Sequence, residues 1–551
     1  MSEMSFGIDL GTTYSVAAYI DESGRPSIAR NANGSETTAS VVYFEGESSV
    51  VVGEIAKQTA VLYPDKVVAR IKREMGQQRT YRFGGADHTP ESISALILKQ
   101  VAQDAAGSAG HQATQAVITV PAYFGMLERD ATKKAGEIAG LDITGIIPEP
   151  VAAALHYDVV SDAVGKTILV YDLGGGTFDT TVIRIEPDDI RVLCTDGHQE
   201  LGGADWDDAL SRYLLDEFVR QAQPPEAPED DQEFMQELLN RAEETKIQLT
   251  SAASRPVTLR FAGATARIDV TRDQFEALTR DLLDRTTDIT RRTIETLAER
   301  HGTASIDEVL LVGGSSKMPA VGARLRDEFG WEPRLHEPDL AVAKGAALYA
   351  LGRSVHRWRE EEEKSGGAPV SVAEAAEQIS LRTGIAAAKL EQIAAKETHN
   401  VLPKAFGVKV LDSTRPGWEE EAKSAFVIEH LVHANDALPA GPCHLPAATV
   451  ADGQTEVCVS IYEQAGGRET REVDGNHPVD QGSGMITEIP PLPAGSPIDI
   501  TMSVDKEGLL TVTAAEPQSG KKLTIDVQVS VLSDEEVGAA KKTVSAIAVS
   551  A

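Results

Sequence analysis

Two short stretches of the sequence each place an aspartate at the end of an apolar run, followed at once by small residues. They are FGIDLGTTYS at residues 6–15 and ILVYDLGGGTFD at residues 168–179. A strand that ends in Asp-Leu-Gly and turns through glycine or threonine exposes backbone N–H groups and hydroxyls, and such concave turns bind phosphate oxygens. Two copies predict a pair of loops that grip one polyphosphate. Ordinary glycine-rich β-turns are the alternative, which the matched Asp, Gly and Thr residues of the two copies make the weaker interpretation.

The aspartates of the two stretches, Asp9 and Asp172, predict a metal ion beside the phosphates. Carboxylates that face phosphate groups repel them unless a hard cation lies between, and magnesium fits that role, in part through water. The charge balance of the predicted loops therefore implies a bound divalent cation.

A third glycine-containing strand, VLLVGGSSKMP at residues 309–319, supports a nucleotide as the ligand. The bare backbone of Gly313 and Gly314 would let a nucleoside approach closely. A competing phosphate motif at Gly165-Lys166-Thr167 fails, because Val160 stands where a Walker loop needs its first glycine and a strand follows instead of a helix.

The elements that would position these residues fall into two classes along the chain. Up to about residue 355, short β-rich runs such as KTILVYDL alternate with helical patterns, which is typical of α/β layers. From about 404 to 531, strands of period two such as EVCVSIY and LTIDVQVSV, several of them separated by turn residues, predict an antiparallel β-sandwich. We therefore expect a multidomain protein in which an α/β domain precedes a β-sandwich.

The segment between these domains has its own pattern. REEEEKSGGAP reads as a charged break, and Ser371 with Glu374 has capping-box spacing, which predicts two short helices bent at Gly384. A DNA-binding helix-turn-helix is the alternative, but three basic residues against four acidic ones in residues 371–398 favour a helical spacer.

The composition excludes several classes of function. The 551 residues carry 52 basic and 85 acidic side chains, a net charge of −33, which repels nucleic acid and anionic membranes. No apolar stretch reaches the length of a membrane span, and no leader is apparent, so we expect a cytoplasmic protein. Three cysteines without CxxC spacing indicate neither a disulfide framework nor a zinc site.

The motifs, taken in order, resemble the seventy-kilodalton heat-shock (DnaK-type) chaperones. FGIDLGTTYS, ITVPAYF, IIPEPVAAAL, YDLGGGTFD, LGGADWD and LVGGSSKMP look like the nucleotide-binding domain of that family, and the likeness covers nearly all of residues 4–355. It continues more weakly over the sandwich. The duplicated hairpin is similar to the two halves of the wider actin and sugar-kinase fold. The resemblance implies an α/β actin-like ATPase domain of two lobes with a duplicated core, closing over ATP.

The resemblance also implies roles for individual residues. Lys72 would contact the γ-phosphate and the attacking water, Glu149 would help to order that water, and Asp172 and Thr177 complete the catalytic set. Asp9 and Asp172 would place magnesium, and Asp179 together with Asp9 would favour potassium ions, so that all three are candidate metal ligands. The remaining nucleotide contacts would be Thr12, Thr13, Tyr14, Gly174, Gly175, Gly176, Gly202, Gly203, Glu243, Lys246, Thr250, Gly313, Gly314, Ser315 and Asp339. Without this context, Lys72 would be read as a solvated helix lysine and Glu149 as a loop carboxylate.

In the second half of the chain the resemblance implies a peptide groove and a relay to it. Val408, Leu411, Val457 and Val459 align with the family's peptide pocket, although alternating strands of any sandwich also bury such residues in their own core. Pro121 and Arg129 match the relay between the nucleotide cleft and the peptide domain; read alone, Pro121 simply ends a strand.

The sequence departs from the family pattern at four places and carries one enlarged loop. The linker NVLPKAFG keeps Val401 and Leu402 but has Pro403 where a docking strand needs an N–H donor. An inserted helical segment of about forty residues precedes it, which predicts a lengthened tether. Residues 533–551 are too few for a helical lid. Gly145 and Pro148 stand at the positions of a J-domain contact, and an insertion, DSTRPGWEEEAKS, enlarges a loop beside the groove.

These features divide the chain into five parts: an ATPase domain at 1–355, a charged break and inserted helices at 356–400, a linker at 401–404, a substrate-binding-like sandwich at 405–532 and a short tail at 533–551. The expected function is that of an ATP-hydrolysing chaperone, monomeric, that binds unfolded or extended polypeptide, with a J-domain co-chaperone and a nucleotide exchange factor as candidate partners. The alternatives are a nucleotide-gated scaffold or co-chaperone that docks a folded partner, and a small-molecule kinase, which the sandwich disfavours.

Overall fold

The first two thirds of the chain form two lobes whose central sheets are built in the same way. A computed structural model describes residues 5–110, 112–161, 163–366, 369–412, 425–506, 508–527 and 532–551, with the backbone alone at residues 480–482. The elements of the first lobe are β1 (Ser5–Asp9), β2 (Tyr14–Ile20), β3 (Pro26–Ile28), β4 (Thr38–Ala39), β5 (Val41–Phe44), β6 (Ser49–Val52), α1 (Glu54–Thr59), β7 (Val67–Ala69), β8 (Tyr81–Phe83), β9 (Ala86–His88), α2 (Pro90–Ala109), β10 (Gln115–Val120), α3 (Met126–Ile138) and β11 (Asp142–Pro148).

The second lobe follows a connecting helix. Its elements are α4 (Glu149–Val160), β12 (Thr167–Leu173), β13 (Phe178–Ile185), β14 (Asp189–His198), α5 (Gly203–Ala222), α6 (Gln232–Leu249), β15 (Ser254–Phe261), β16 (Ala264–Thr271), α7 (Arg272–Leu278), α8 (Arg280–His301), β17 (Glu308–Val312), α9 (Pro319–Phe329), β18 (Arg334–Leu335) and α10 (Ala341–Lys364).

The strand orders of the two lobes show the duplication directly. The first sheet runs β11-β10-β1-β2-β3, and the second runs β18-β17-β12-β13-β14. In each sheet the first hairpin, β1-β2 or β12-β13, is antiparallel, and the strand on its other side, β10 or β17, is parallel. Every residue of β12 is buried, as expected for a central strand covered on both faces. The actin-like α/β fold expected from the sequence is confirmed.

Helices α4 and α10 pack between the two sheets and join the lobes. One core cluster contains Val117 and Ile147 of the first lobe, Ile168 and Val312 of the second, and several alanines from both helices. Small residues allow the helices to approach closely, since the backbone of Gly345 in α10 lies directly on the carbonyl of Ala152 in α4. The lobes are therefore joined at a tight helix crossing.

The inserted segment folds as two helices, α11 (Val372–Thr383) and α12 (Ala387–Ala395), with a left-handed turn at Gly384. The predicted capping box of Ser371 and Glu374 is present. The charged run is the end of α10, which continues to Lys364, so the break begins only after that residue. Both helices pack on α10 in a core with Ile379 and Leu390. The lengthened tether expected from the sequence is wrong for the described residues, because apolar burial fixes the insertion to the ATPase domain.

The sandwich consists of two four-stranded antiparallel sheets. After β19 (Glu397–His399), which belongs to the second lobe, come β20 (Phe406–Leu411), β21 (Phe426–Val432), β22 (Ala440–Ala448), β23 (Val457–Gln464), β24 (Asn476–Ile486), β25 (Pro497–Val504), β26 (Leu510–Ala515) and β27 (Lys522–Val527). One sheet has the order β21-β20-β23-β24 and the other β22-β25-β26-β27. The inserted loop of the sequence analysis lies, from residue 413 to 424, outside the described residues.

The last residues return to the first lobe. Helix α13 (Asp534–Ala546) and strand β28 (Ala548–Ser550) follow the sandwich, and β28 pairs in parallel with β6. Leu532, Val544 and Ile547 are buried in the core of that lobe, and Lys99 Nζ donates to the carbonyls of Val544 and Ile547 at 2.9 and 2.8 Å. The tail is thus a packed part of the ATPase domain. No helix among the described residues has the length and apolar character to cross a membrane.

Candidate functional site

The two predicted phosphate loops face each other where the lobes meet. They follow β1 and β12, the equivalent strands of the two sheets, so the duplication itself brings them together. A Cβ atom at Gly175 would lie 2.1 Å from Thr13 Oγ1, and one at Gly176 would lie 2.4 Å from Thr12 Oγ1. Only glycine allows the loops to approach this closely, which explains why the second loop carries glycines where the first carries threonines.

Below these loops, one lysine lies among buried carboxylates. Lys72 Nζ donates to Glu149 Oε1 at 2.6 Å, and both side chains are less than a tenth exposed. Burial lowers the pKa of Lys72, but the charges of Glu149 and Asp9 outweigh it and hold that pKa above its usual value. Thr119 Oγ1 donates to Asp9 Oδ1 at 2.8 Å. The pair predicted to act on the γ-phosphate and the attacking water is therefore assembled in one place.

The three predicted metal ligands share this site and are short of positive charge. Burial, together with the charge of Glu149, raises the pKa of Asp9 to about 6 and raises that of Asp172 and Asp179 well above the usual aspartate value. Asp179 Oδ2 is buried and has no hydrogen-bond partner among the residues that the structure describes. Buried anions demand compensating charge. These oxygen ligands fit a hard cation such as magnesium.

This charge imbalance gives a testable expectation for Asp179→Asn. An acidic group whose pKa is higher in the folded than in the unfolded protein lowers the free energy of unfolding when it is ionised. This destabilisation disappears as the pH falls and the group becomes protonated. Without metal, we therefore expect the wild-type protein to gain stability from pH 8 down through about 6, the pKa of Asp9, and to level off near 4. Asp179→Asn should be more stable than wild type by about 1 kcal/mol or more in EDTA at pH 8.

Thermal unfolding of both proteins, with EDTA and with Mg·ADP, measures this effect. Asparagine retains the oxygen that accepts the Tyr123 N–H bond, so local geometry is preserved. Magnesium nucleotide should reverse the order by stabilising the wild type more. Equal unfolding temperatures in EDTA would contradict the charge argument.

The third glycine strand closes the other side of the site. Gly313 has a φ of 79°, and a Cβ there would lie 2.4 Å from Asp172 Oδ1, so glycine is required. Ser315 lies beside Gly203, which begins α5, and Lys317 forms an ion pair with Asp339. Gly203 N donates to Gly174 O at 2.9 Å, which ties the start of α5 to the second phosphate loop.

Two of the predicted nucleotide contacts, Glu243 and Lys246, lie on α6 and a third, Thr250, follows its last residue; their partners were missed by sequence reasoning. Lys246 Nζ donates to Asp207 Oδ2 at 2.8 Å and to Gly203 O at 2.9 Å. Glu243 forms an ion pair across the cleft with Lys57, which also donates to Tyr14 Oη at 2.9 Å. Lys246 and Thr250 line a small cavity floored by Leu249 and Met318.

Two arginines also join the lobes across the cleft. Arg73 donates to the carbonyl oxygen of Gly176 at 2.8 Å and to Asp205 at 2.7 Å, and Arg70 pairs with Asp208 at 3.1 Å. Both lie within ARIKREMG, the stretch that supplied Lys72, but a single sequence gives no sign of which distant carboxylate each one meets.

Comparison with known proteins agrees with this geometry. The sequence matches the family described as Hsp70 protein over residues 5–83, 80–356 and 420–549. The chain belongs to the Hsp70 family. Its relatives include the chaperone protein DnaK of Halobacterium salinarum, 35% identical over 546 residues that cover 97% of this chain and 77% of that protein. Those of Thermotoga maritima and Thermotoga neapolitana are each 34% identical over 541 residues, 95% of this chain and 80% of the relative.

Hsp70 proteins are ATPases that bind ATP or ADP with Mg²⁺, and their antiparallel sheets form a substrate-binding domain. In this Hsp70 protein, the linker touches both domains. Val401 is buried in the core cluster between the lobes, whereas the next residue, Leu402, is buried in the sandwich core. Val401 also forms a β-bridge with Ala437. The strand that joins the second lobe, β19, ends at His399, ahead of Pro403, so the proline interrupts no ladder bond.

The predicted relay residues lie beside this contact. Arg129 is enclosed, donating to Phe124 O at 2.9 Å and Ala122 O at 3.3 Å, and burial lowers its pKa to about 10. Pro121 ends β10 immediately before these carbonyls. In the same helix as Arg129, Met126 and Leu127 pack against the sandwich core.

A lysine of the linker completes the contact, and sequence reasoning did not single it out. Lys404 Nζ lies 3.6 Å from Glu128 of α3 and 3.7 Å from Glu463 of β23. Burial raises the pKa of Glu463 to about 7. One cation thus bridges carboxylates from the two domains.

The predicted peptide-pocket residues divide into two pairs. Val408 and Val459 are 1% and 0% exposed, inside the sandwich core, whereas Leu411 and Val457 are partly exposed. The first pair offers no surface to a ligand in this arrangement, and the peptide-binding role of all four stays a prediction. Gly145 and Pro148 lie on β11, the edge strand of the first sheet.

Proposed function

We propose that this protein is an ATP-dependent molecular chaperone that hydrolyses ATP and binds unfolded or extended polypeptide with an affinity that depends on the nucleotide. The observation that carries the proposal is the shared burial of adjacent linker residues, Val401 between the ATPase lobes and Leu402 in the sandwich. A change in the angle between the lobes therefore acts directly on the residue next to the sandwich core.

The roles proposed for the site follow from its charges. Asp9, Asp172 and Asp179 would hold Mg²⁺, which supplies positive charge beside the transferred phosphate. Lys72 binds the γ-phosphate, and Glu149, at 2.6 Å from Lys72 Nζ, orients the attacking water. Phosphoryl transfer needs chiefly positioning and cations along the developing charge, so no covalent nucleophile is required.

Partners are proposed on the same basis. Unfolded polypeptide, a J-domain co-chaperone and a nucleotide exchange factor suit an Hsp70 protein. Since Gly145 and Pro148 supply no charged or amide side chain, we expect ordinary J-domain proteins to stimulate turnover weakly. The monomeric state and the cytoplasmic location stay predictions.

Fluorescence anisotropy of a labelled extended apolar peptide tests the proposal on the wild-type protein, in ATP and in ADP. We expect peptide affinity to differ at least fivefold between the two nucleotides, about 1 kcal/mol of coupling. Competition by unlabelled peptide provides the control for specific binding. If no peptide bound in any nucleotide state, the chaperone proposal would be abandoned. Measurable but equal affinities would favour the scaffold that docks a folded partner.

A further inference from the structure

Three potential metal ligands meet where the chain leaves the inserted helices and enters the second lobe. Strand β19 pairs in parallel with β14, placing Glu397 opposite Asp189 and His399 opposite Arg191. Residues two apart on a strand point to the same face, so Glu397 and His399 share one face. Asp189 is in register with Glu397 and presents its carboxylate to that face.

The spacing of the ligand atoms suits a transition-metal ion. His399 Nε2 lies 2.9 Å from Asp189 Oδ1 and 3.6 Å from Glu397 Oε2, and the three ligand atoms are all within 4.8 Å of one another. Zinc bonded to imidazole nitrogen and carboxylate oxygen at about 2.0–2.2 Å separates its tetrahedral ligands by about 3.3–3.5 Å. Small side-chain movements are therefore sufficient to admit the ion.

The surroundings of the three residues leave room for water as a fourth metal ligand. They also leave one carboxylate oxygen of Asp189 available to bind the ion. The side chains of His399 and Asp189 are 34% and 30% exposed, so water can complete the coordination. Arg191 pairs with Asp189 through Oδ2, at 3.1 Å, whereas the oxygen that meets His399 is Oδ1. The combination of one imidazole and two carboxylates selects borderline divalent ions over Mg²⁺ or Ca²⁺, which prefer oxygen ligands alone.

We propose that Asp189, Glu397 and His399 form a divalent-cation site of the zinc class that fastens the strand before the interdomain linker to the ATPase domain. The ligands come from segments 210 residues apart in the chain, Asp189 and His399. The start of the strand is already held by Lys396, which pairs with Asp158 at 3.0 Å and donates to Glu186 O at 2.8 Å. The cation would fix the strand from which the linker starts.

Cation binding and the pairing of β19 with β14 should be thermodynamically coupled, because the ligands come from both strands. The complete set of ligands exists only when β19 is paired with β14, so the ion would bind and stabilise the paired strand, by an amount that grows with ion concentration. By the same reciprocity, a state that releases β19 must weaken cation binding. The concentration of this metal would then change the stability of the strand pairing that precedes the linker, independently of the magnesium of the nucleotide cleft.

Calorimetric titration with Zn²⁺, and the visible absorption of Co²⁺, test the site on the full chain saturated with Mg·ADP, so that the cleft is filled. His399→Asn removes the ligand nitrogen in a partly exposed position. His433→Asn is the matched control, since the His433 side chain is 49% exposed and its ring Nδ1 lies 2.8 Å from a carboxylate oxygen of Glu469. We expect His399→Asn to weaken one binding event at least tenfold, the lower end for a lost metal contact, and His433→Asn to leave it unchanged.

Amide hydrogen exchange of residues 396–400, measured with and without zinc, distinguishes a metal ligand from a histidine with only a structural role. A structural histidine would not make exchange depend on zinc. Zinc should slow exchange there in the wild type and in His433→Asn, but not in His399→Asn. The proposal would be overturned if zinc bound equally to wild type and His399→Asn, if it failed to bind, or if Mg²⁺ in the same excess gave the same protection.

Discussion

Lys72→Ala should reduce ATP hydrolysis at least 100-fold, about 3 kcal/mol of transition-state stabilisation, while ATP still binds. Among the described residues, Lys72 is the one positively charged side chain that bonds to Glu149. Its charge also interacts with those of Asp9 and Asp172. Negative charge develops on the transferred phosphate in the transition state. A buried lysine beside it stabilises that charge far more than a lysine in water would, because the surroundings screen the interaction less. In the proposed site, nucleotide binding would depend instead on the glycine loops and α6, which the change leaves in place.

Single-turnover hydrolysis and equilibrium titration with ATP separate these two effects. Lys133→Ala is a suitable control, because Lys133 lies on α3 with a half-exposed side chain. Glu149→Gln provides a second variant that keeps the shape of the site and should also slow hydrolysis. If Lys72→Ala turned over within a few-fold of the wild type, the assignment of the catalytic centre would be wrong.

Gly345→Ala should cost about 3 kcal/mol of folding free energy, the upper range for an overpacked core. A Cβ at this position would lie 1.7 Å from the carbonyl oxygen of Ala152 and 2.3 Å from its carbonyl carbon. These are backbone atoms of α4, so no flexible side chain can move aside, and the two helices must separate. Because α4 begins at Glu149, that movement should also displace the carboxylate proposed to orient the attacking water, and so slow hydrolysis.

Gly352→Ala is a closely matched control in the same helix. Its Cβ would meet nothing nearer than Ile393 O at 3.5 Å, an ordinary contact, and alanine favours helix by about 1 kcal/mol over glycine. Urea unfolding followed by circular dichroism compares the two variants with the wild type. Equal stability of the two alanine variants would refute the close helix crossing.

The repeated hairpins were readable from sequence because their chemistry is local. An aspartate at the end of a strand and the small residues that follow are contiguous, and each copy lies at the end of an equivalent central strand. The helices of the insertion were predictable for a similar reason, since the capping box and Gly384 are signals within a few residues. The sequence did not show that these helices pack on α10, because an apolar helix face does not specify which other element it packs against.

The cross-lobe pairs and the tail were beyond sequence reasoning. Arg73 and Asp205 are 132 residues apart, and each reads alone as a surface charge. The tail has the pattern of a short capped helix, yet its burial depends on a sheet edge at β6, almost 500 residues earlier. Charge and hydrophobic pattern determine which side chains need partners, whereas chain topology decides which partners they meet.

The sequence by itself therefore determined the class of ligand, the duplicated nucleotide-binding domain and the β-sandwich, since each rests on short contiguous patterns. Only the tertiary structure decided how Lys72, Glu149 and the aspartates share one buried site, and that Val401 and Leu402 divide between two cores. The tertiary structure also placed two of the predicted pocket valines in the core of the sandwich. The physical reason is that burial and electrostatic balance are properties of the packed chain, and contacts over long sequence separations create them.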